Sequence, residues 1–293
     1  MQGLLTTRNV LPPVLCYHKV ERRRELGVTR LSPRRFAAQV AALSRAGWKT
    51  ISLDDFGATV RGERESRDRE LLITFDDAYR GLRDYAFPVL RDAGFAAACF
   101  VITDFAGRLN RWDVAYGGRR FAHLAWRDIE AWSGRGIEFA SHTATHPRLT
   151  WMTDRRLADE LIRSRLALQS ALGGLPAAIA YPFGAIDARV TAAAVSAGYS
   201  LGFGVGGQWR GDPLAVPRTP VHCWSPLLPG VGRLAPMERV ISSIAGRCSI
   251  GTTIWRSLTP RSAPDELRAS SPKRPEGAAM TLMTPKLPDT TLQ

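Results

Sequence analysis

A chain of 293 residues with 45% hydrophobic residues is long and apolar enough to bury a full core, which excludes a disordered or fibrous protein. The formal net charge is +13, and with +4 on the last 68 residues and +9 on the first 225 it is not the property of one basic tail. Such a balance favours anionic partners in general, with an Arg-rich solvated surface as the plainer explanation, and no fingerprint or basic-aromatic groove specifies nucleic acid. The four cysteines, Cys16, Cys99, Cys223 and Cys248, show neither CxxC pairing nor zinc-ligand spacing, so no disulfide framework is expected and buried free thiols are. Met1 to Pro13 lacks the apolar run of an export signal, and the longest nearly apolar run, Ala93 to Ile102, is too short to span a bilayer. The default expectation is therefore a cytoplasmic chain with no transmembrane segment, with the cell envelope kept open.

In chain order, Val14 to Val20 reads as a first strand ending in Tyr17-His18-Lys19. Ser32-Pro33 looks like an N-cap followed by proline at the first helical position, opening a helix that turns Phe36, Val40 and Leu43 inward and stops near Gly47. Thr50 to Leu53 and Leu71 to Phe75 read as strands, and Tyr79 to Ala93 as a helix closed by Gly94. Ala97 to Thr103 is continuously apolar, the pattern of a parallel strand buried on both faces. A helix over Leu124 to Ser133, a strand over Ile137 to Ala140, and a long amphipathic helix from Thr153 through Leu157, Leu161, Leu168 and Leu172 follow. Ile179 to Tyr181, a helix over Asp187 to Ala197, and strands over Leu201 to Val205 and Ala215 to Val221 complete the count. Seven or eight strands alternating with helices imply an α/β fold, a closed or nearly closed β/α barrel over residues 10–225. Residues 226–293 hold nine of the nineteen prolines and little hydrophobic periodicity, which predicts a Pro-rich, partly disordered tail.

Three polar clusters follow strand ends. Asp76 and Asp77 lie in Thr74-Phe75-Asp76-Asp77-Ala78-Tyr79, His142 and His146 in Ser141-His142-Thr143-Ala144-Thr145-His146-Pro147, and Pro182-Phe183-Gly184 after Tyr181. In a β/α barrel these ends form one rim, where active sites are built. Adjacent acids at the mouth of a buried strand are costly unless a metal or a proton transfer uses them. The four-residue histidine spacing places both imidazoles on one side of a helical turn, which Pro147 limits to a single turn. Two imidazoles and a carboxylate form a facial set with open positions for water and substrate, with a pair of capping or core histidines as the bland reading. His18 reads as a rim histidine held by hydrogen bonds, with substrate contact as the alternative. Asp54 and Asp55 read as helix capping or a loop salt bridge, and His123 as structural. Trp112 and Asp113, after the fourth strand, suit the apolar face and hydroxyls of a sugar ring, with core filling by Trp112 as the competing view.

TFDDAY, SHTATHPRL and YPFG, in this order, resemble motifs one to three of the NodB-homology polysaccharide deacetylases, carbohydrate esterase family 4. Cys16-Tyr17-His18-Lys19-Val20 and Val216-Pro217-Arg218-Thr219-Pro220-Val221 add to the resemblance. It implies a distorted (β/α)7 barrel that removes acetyl groups from N-acetylhexosamine units of an acetylated glycan. By matching position, Asp77, His142 and His146 bind one divalent metal, most simply zinc, and Asp76 is the general base for the metal-activated water. The backbone N–H of Phe183, next to Pro182, helps hold the oxyanion. Three positions depart from the family pattern. Ala78 replaces the usual glycine, and Ala180 stands where many members carry an arginine that braces the base, a role for which Arg218 is the candidate substitute. The late histidine that serves as general acid is matched best by His222, with a partly buried structural histidine as the alternative. A deacylase of a small amide, imide or O-acetyl ester, or a non-catalytic carbohydrate-binding relative, are the competing functional readings.

Overall fold

Leu71, Leu72, Ile73 and Phe75 have no solvent exposure, so their strand can lie only between two apolar layers. The structure is a computed structural model and describes residues 11–24, 28–111 and 120–225. The expected tail, 226–293, and Trp112 lie outside the described residues. The strands are β1 (Val14–Tyr17), β2 (Lys19–Val20), β3 (Arg30–Leu31), β4 (Lys49–Thr50), β5 (Glu70–Phe75), β6 (Ala97–Val101), β7 (Ile137–Ser141), β8 (Ala178–Ala180), β9 (Leu201–Phe203) and β10 (Thr219–Pro220). The helices are α1 (Pro33–Arg45), α2 (Leu53–Val60), α3 (Phe87–Asp92), α4 (Trp126–Trp132), α5 (Asp154–Leu172) and α6 (Ala188–Ser196).

The sheet runs β10-β1-β5-β6-β7-β8-β9, parallel throughout, with β4 added beside β5. Its two edges meet through one segment: Val216 bridges Phe203 at the end of β9, and Thr219 and Pro220 pair with Leu15 and Cys16 of β1. Seven strands therefore curl into the distorted (β/α)7 barrel. Period-2 alternation divides the core. Leu72, Ala98, Phe100, Ala140, Ala180 and Phe203 form one cluster inside the curl, joined by Phe56 of α2, while Leu71, Ile73, Phe75, Cys99 and Val101 pack with α1 and α3. Among the described residues no helix is long and apolar enough to cross a membrane.

The expected first strand breaks at His18, because Lys19 and Val20 leave the barrel to pair with Arg30 and Leu31. Thr50 to Leu53 is not a strand. It yields the two-residue β4, and Leu53 already begins α2, whose N-cap Ser52 accepts the Asp55 N–H at 2.9 Å. Asp54 and Asp55 occupy the first turn of α2, where the helix dipole favours negative charge. Between Tyr79 and Ala93 the chain forms a π-helical turn at Leu82–Ala86 before α3, since Pro88 has no N–H with which to continue an α-helical ladder backwards. Ahead of that turn, a Cβ on Gly81 would lie 2.4 Å from the Val20 carbonyl oxygen, so only glycine lets β2 pack there.

Candidate active site

The ends of β1, β5, β7, β8 and β10 place His18, Asp76 and Asp77, His142, Pro182 and His222 on one rim. Six non-glycine residues among those described have positive φ, and five of them, Asp77, Ala78, Thr143, His146 and Phe183, belong to this rim. Backbone strain of this kind persists where surrounding structure enforces it. Ala78, at φ 52°, explains why glycine suits the position: its methyl group costs on the order of 1 kcal/mol in the left-handed region. The turn is held from outside, with His123 donating its Nδ1–H to the Asp77 carbonyl at 2.6 Å and Leu124 N–H donating to the Ala78 carbonyl at 2.8 Å. His123 is thus a brace for the aspartate turn.

His142 and His146 do not share a helical turn as their spacing suggested. Left-handed kinks at Thr143 and His146 fold the loop so that the two imidazoles meet edge to face, with centroids 4.8 Å apart. His142 donates its Nδ1–H to the Ala180 carbonyl at 2.7 Å, which turns the Nε2 lone pair toward Asp77. Asp77 Oδ1 lies 3.4 Å from His142 Nε2 and 3.5 Å from His146 Nε2. That oxygen is buried and has no hydrogen-bond donor, an expensive arrangement for a carboxylate left to itself. Burial pushes the Asp77 carboxyl pKa up, but the His142 contact and the His146 and His18 imidazoles outweigh it and hold the group well below the usual range. Two imidazole nitrogens and an orphaned carboxylate oxygen, all buried and within 4.8 Å of one another, fit a divalent cation of the zinc class. Cys16, His18 and Asp76 also cluster within 4.8 Å, but a guanidinium already occupies Asp76 and leaves that set unsuited to a cation.

The guanidinium is that of Arg218. It donates to both Asp76 oxygens at 2.7 Å, and also to the Gly204 carbonyl at 3.0 Å and to Thr74 Oγ1 at 3.2 Å, with Phe100 and Phe203 against its face. Arg218 enters from β10, on the other side of β5 from Ala180, so the brace absent at Ala180 is supplied from the opposite wall. Its side chain is fully buried and faces Asp76. Burial alone would raise the Asp76 pKa, but the Arg218 charge and then His142 lower it to about 2. Asp76 is therefore ionised at neutral pH. Its Oδ2 lies 3.9 Å from His142 Nε2, next to the Asp77, His142 and His146 cluster that could hold a cation, without belonging to it.

A residue absent from the sequence reading organises the histidine loop. Glu160 of α5 is buried and accepts the N–H groups of Ala144 at 3.0 Å and Thr145 at 2.8 Å, together with the Thr145 hydroxyl. Its signal was present: Glu160 falls on the stripe of Leu157, Leu161, Ser164 and Leu168, where a polar residue calls for a buried partner. Ser164 answers in the same way, bonded to Ser141 Oγ at 2.8 Å and close to the Tyr199 hydroxyl. Replacing Glu160 by alanine leaves three donors unpaired, one of them fully buried, so we expect stability to fall by about 2–4 kcal/mol and metal affinity by roughly 10–100-fold. Urea unfolding and a competitive metal titration measure the two effects. A Glu160→Gln variant, which keeps an acceptor oxygen, is expected to lose less of each.

Pro182 begins a short 3₁₀ turn after β8, and the Phe183 ring packs on His146 with centroids 4.8 Å apart. His222 is buried after β10 beside Trp224, and neither ring nitrogen has a hydrogen-bond partner among the described residues. Burial, and then the neighbouring His18, lower its pKa to about 4, so the ring is neutral at pH 7. The Nδ1 of His18 is buried without a hydrogen-bond partner among the described residues.

Residues 63–202 match the family model for polysaccharide deacetylases. The Bacillus subtilis (strain 168) protein YxkH is 25% identical over 190 residues, covering 65% of this chain and 63% of YxkH, so the chain spans less than two thirds of that relative. Among solved structures, the Streptococcus pyogenes deacetylase PplD aligns over 80% of this chain and 98% of its own, with a TM-score of 0.66 and 19% identity. IcaB from Ammonifex degensii aligns over 80% of this chain and 96% of its own, with a TM-score of 0.63 and 23% identity. At these identities the two structures speak for the fold.

Proposed function

We propose that the chain is a polysaccharide deacetylase of the family whose model its residues 63–202 match, and that it hydrolyses acetyl groups from N-acetylhexosamine units of a polysaccharide. The observation that carries this reading is the pairing of a buried, ionised Asp76, fixed by Arg218, with the separate donor set Asp77, His142 and His146. One carboxylate is committed to an ion pair that fixes its direction, and the other offers a bare oxygen. When bound by Asp77, His142 and His146, a divalent cation supplies Lewis acidity that makes water a stronger acid and the acetyl carbonyl a better electrophile.

The chain's own groups carry the protons. Asp76 accepts a proton from the attacking water as the new C–O bond forms. The Phe183 N–H, in the turn after β8, is the backbone donor for the developing oxyanion. Collapse breaks the C–N bond, and the departing amine takes a proton, giving acetate and a free amino sugar. His222 is neutral at rest and becomes the donor to that amine only after it has collected a proton.

The test is acetate release from N-acetylglucosamine oligomers by metal-replete protein. Asp76→Asn is expected to lower kcat by about 10²–10⁴-fold while the metal content stays at one per chain. Unchanged acetate release by Asp76→Asn would overturn the assignment of the base. Metal-replete protein that releases no acetate from any acetylated glycan would overturn the function.

A further inference from the structure

Beside the catalytic rim lies a cleft of about 480 Å³ whose lining is dominated by Arg22, Arg23, Arg80 and Arg120 over the rings of Tyr85 and Phe121. All four arginines are exposed, and none has a carboxylate partner among the described residues. Of the two acids in the lining, Asp84 is engaged by a residue outside it and Glu21 by backbone N–H groups within it. Glu21 Oε1 accepts the N–H groups of Arg22 and Arg23 at 2.8 and 3.4 Å, and Asp84 is paired with Arg83 at 2.7 Å. The guanidinium of Arg22 lies 5.3 Å from the Tyr85 ring centroid and that of Arg23 5.9 Å from the Phe121 centroid. Arg120 is tethered by a 3.1 Å bond to the Asn110 carbonyl. Stacking of this kind holds a guanidinium by its face and leaves its N–H edge for a ligand.

The cleft shares its wall with the active site. Arg80 lies three residues beyond Asp77, and its N–H donates to the Ala122 carbonyl at 2.8 Å. Phe121 packs edge-on against Tyr79, which stacks at 4.8 Å on His123, the residue that braces the Asp77 turn. Lys19, immediately after His18, places its ammonium over both Tyr79 and Phe121. A polymer whose acetylated sugar sits at Asp77 therefore continues across fixed cations and aromatic faces.

We propose that this cleft is a subsite for an anionic group, a carboxylate or a phosphate, carried by the glycan on units next to the acetylated sugar. Resting on the deacetylase reading above, the proposal narrows its substrate to acidic polysaccharides. Planar guanidinium edges match both oxyanions, and aromatic faces beside them suit the sugar ring that bears the charge.

The experiment compares three substrates at low salt: neutral chitotetraose, an alternating N-acetylglucosamine–glucuronate tetrasaccharide, and a phosphodiester-linked N-acetylglucosamine oligomer. The expected result is a KM about tenfold lower for at least one anionic substrate than for chitotetraose, as a few exposed ion pairs can supply. The anionic substrate that gains identifies the oxyanion. The gain should shrink on raising salt toward about 0.5 M, and vanish in the Arg22→Ala/Arg23→Ala double variant and in Arg120→Ala, with kcat on chitotetraose unchanged. Equal KM for all three substrates, or a gain that survives removal of the arginines, would overturn the proposal. Calorimetric binding of the anionic oligosaccharides separates this outcome from failure of the catalytic reading. Arginine-dependent binding without acetate release supports the cleft and sinks the deacetylase.

Discussion

Replacing His142 by alanine is expected to reduce bound divalent metal well below one per chain and to lower acetate release by roughly 10³-fold, the rate equivalent of about 4 kcal/mol of lost transition-state stabilisation. The structure gives the reason in Asp77 Oδ1, a buried carboxylate oxygen without a donor, facing two imidazole nitrogens at 3.4 and 3.5 Å. Removing one imidazole leaves two donors, too few to hold a zinc-class ion against buffer or chelator. Asp77→Asn tests the same centre differently, since the amide keeps the size of the side chain and removes its charge. Its metal content should fall as in His142→Ala, whereas Asp76→Asn should keep its metal and lose turnover. Plasma emission spectrometry of dialysed protein, read beside acetate release, separates the two aspartates. Equal metal loss in the Asp76 and Asp77 variants would show that the carboxylates share one task. Chelation of the unmodified protein, followed by recovery with added zinc, should reproduce the His142→Ala defect reversibly.

The parts of this site that were legible in the sequence are those whose chemistry is local. Asp76, Asp77, His142 and His146 stand in short motifs after apolar runs, and strand-end placement alone was enough to put them on one rim. The parts that were hidden act across the chain. Arg218 was named as a candidate brace for Asp76, but its contact spans a separation of 142 residues, and only the pairing of β10 with β1, beside β5, shows how it is made. Glu160 was hidden for a different reason: in a helix rich in charge, one acid on the buried stripe looks like a solvated side chain unless the register is followed residue by residue. The α2 misreading was local. Ser52 with Asp54 and Asp55 is the signature of a helix start, but the apolar Ile51 and Leu53 on either side of Ser52 suggested alternation. The histidine loop shows the limit of spacing arguments, since left-handed residues, not a helical turn, bring its imidazoles together.

Arg218→Met should destabilise the fold by about 3–5 kcal/mol, because it leaves the Asp76 carboxylate buried without its countercharge. Methionine fills most of the volume, so the loss measures charge and not a cavity. Asp76 in the intact protein has a pKa of about 2, below its ordinary 3.8. A carboxyl lowered on folding contributes stability that is present above the unfolded value and is lost as pH falls through the folded one, here about 2 kcal/mol in size. In Arg218→Met the sign reverses: burial, no longer opposed by the guanidinium, raises the pKa, so the ionised form is penalised at neutral pH and protonation relieves it. The stability gap between variant and parent should therefore narrow between about pH 7 and about pH 4, where the parent still keeps its ion pair. Urea unfolding at the two pH values reads this directly. The double variant Asp76→Asn/Arg218→Met should be more stable than Arg218→Met alone, with a coupling energy on the order of 2 kcal/mol. Arg218→Lys should fall short of the parent, since one ammonium cannot bridge both Asp76 oxygens, Thr74 and Gly204 together. A pH-independent gap, or a double variant no more stable than the single, would mean that Arg218 serves packing and that another group holds Asp76 ionised.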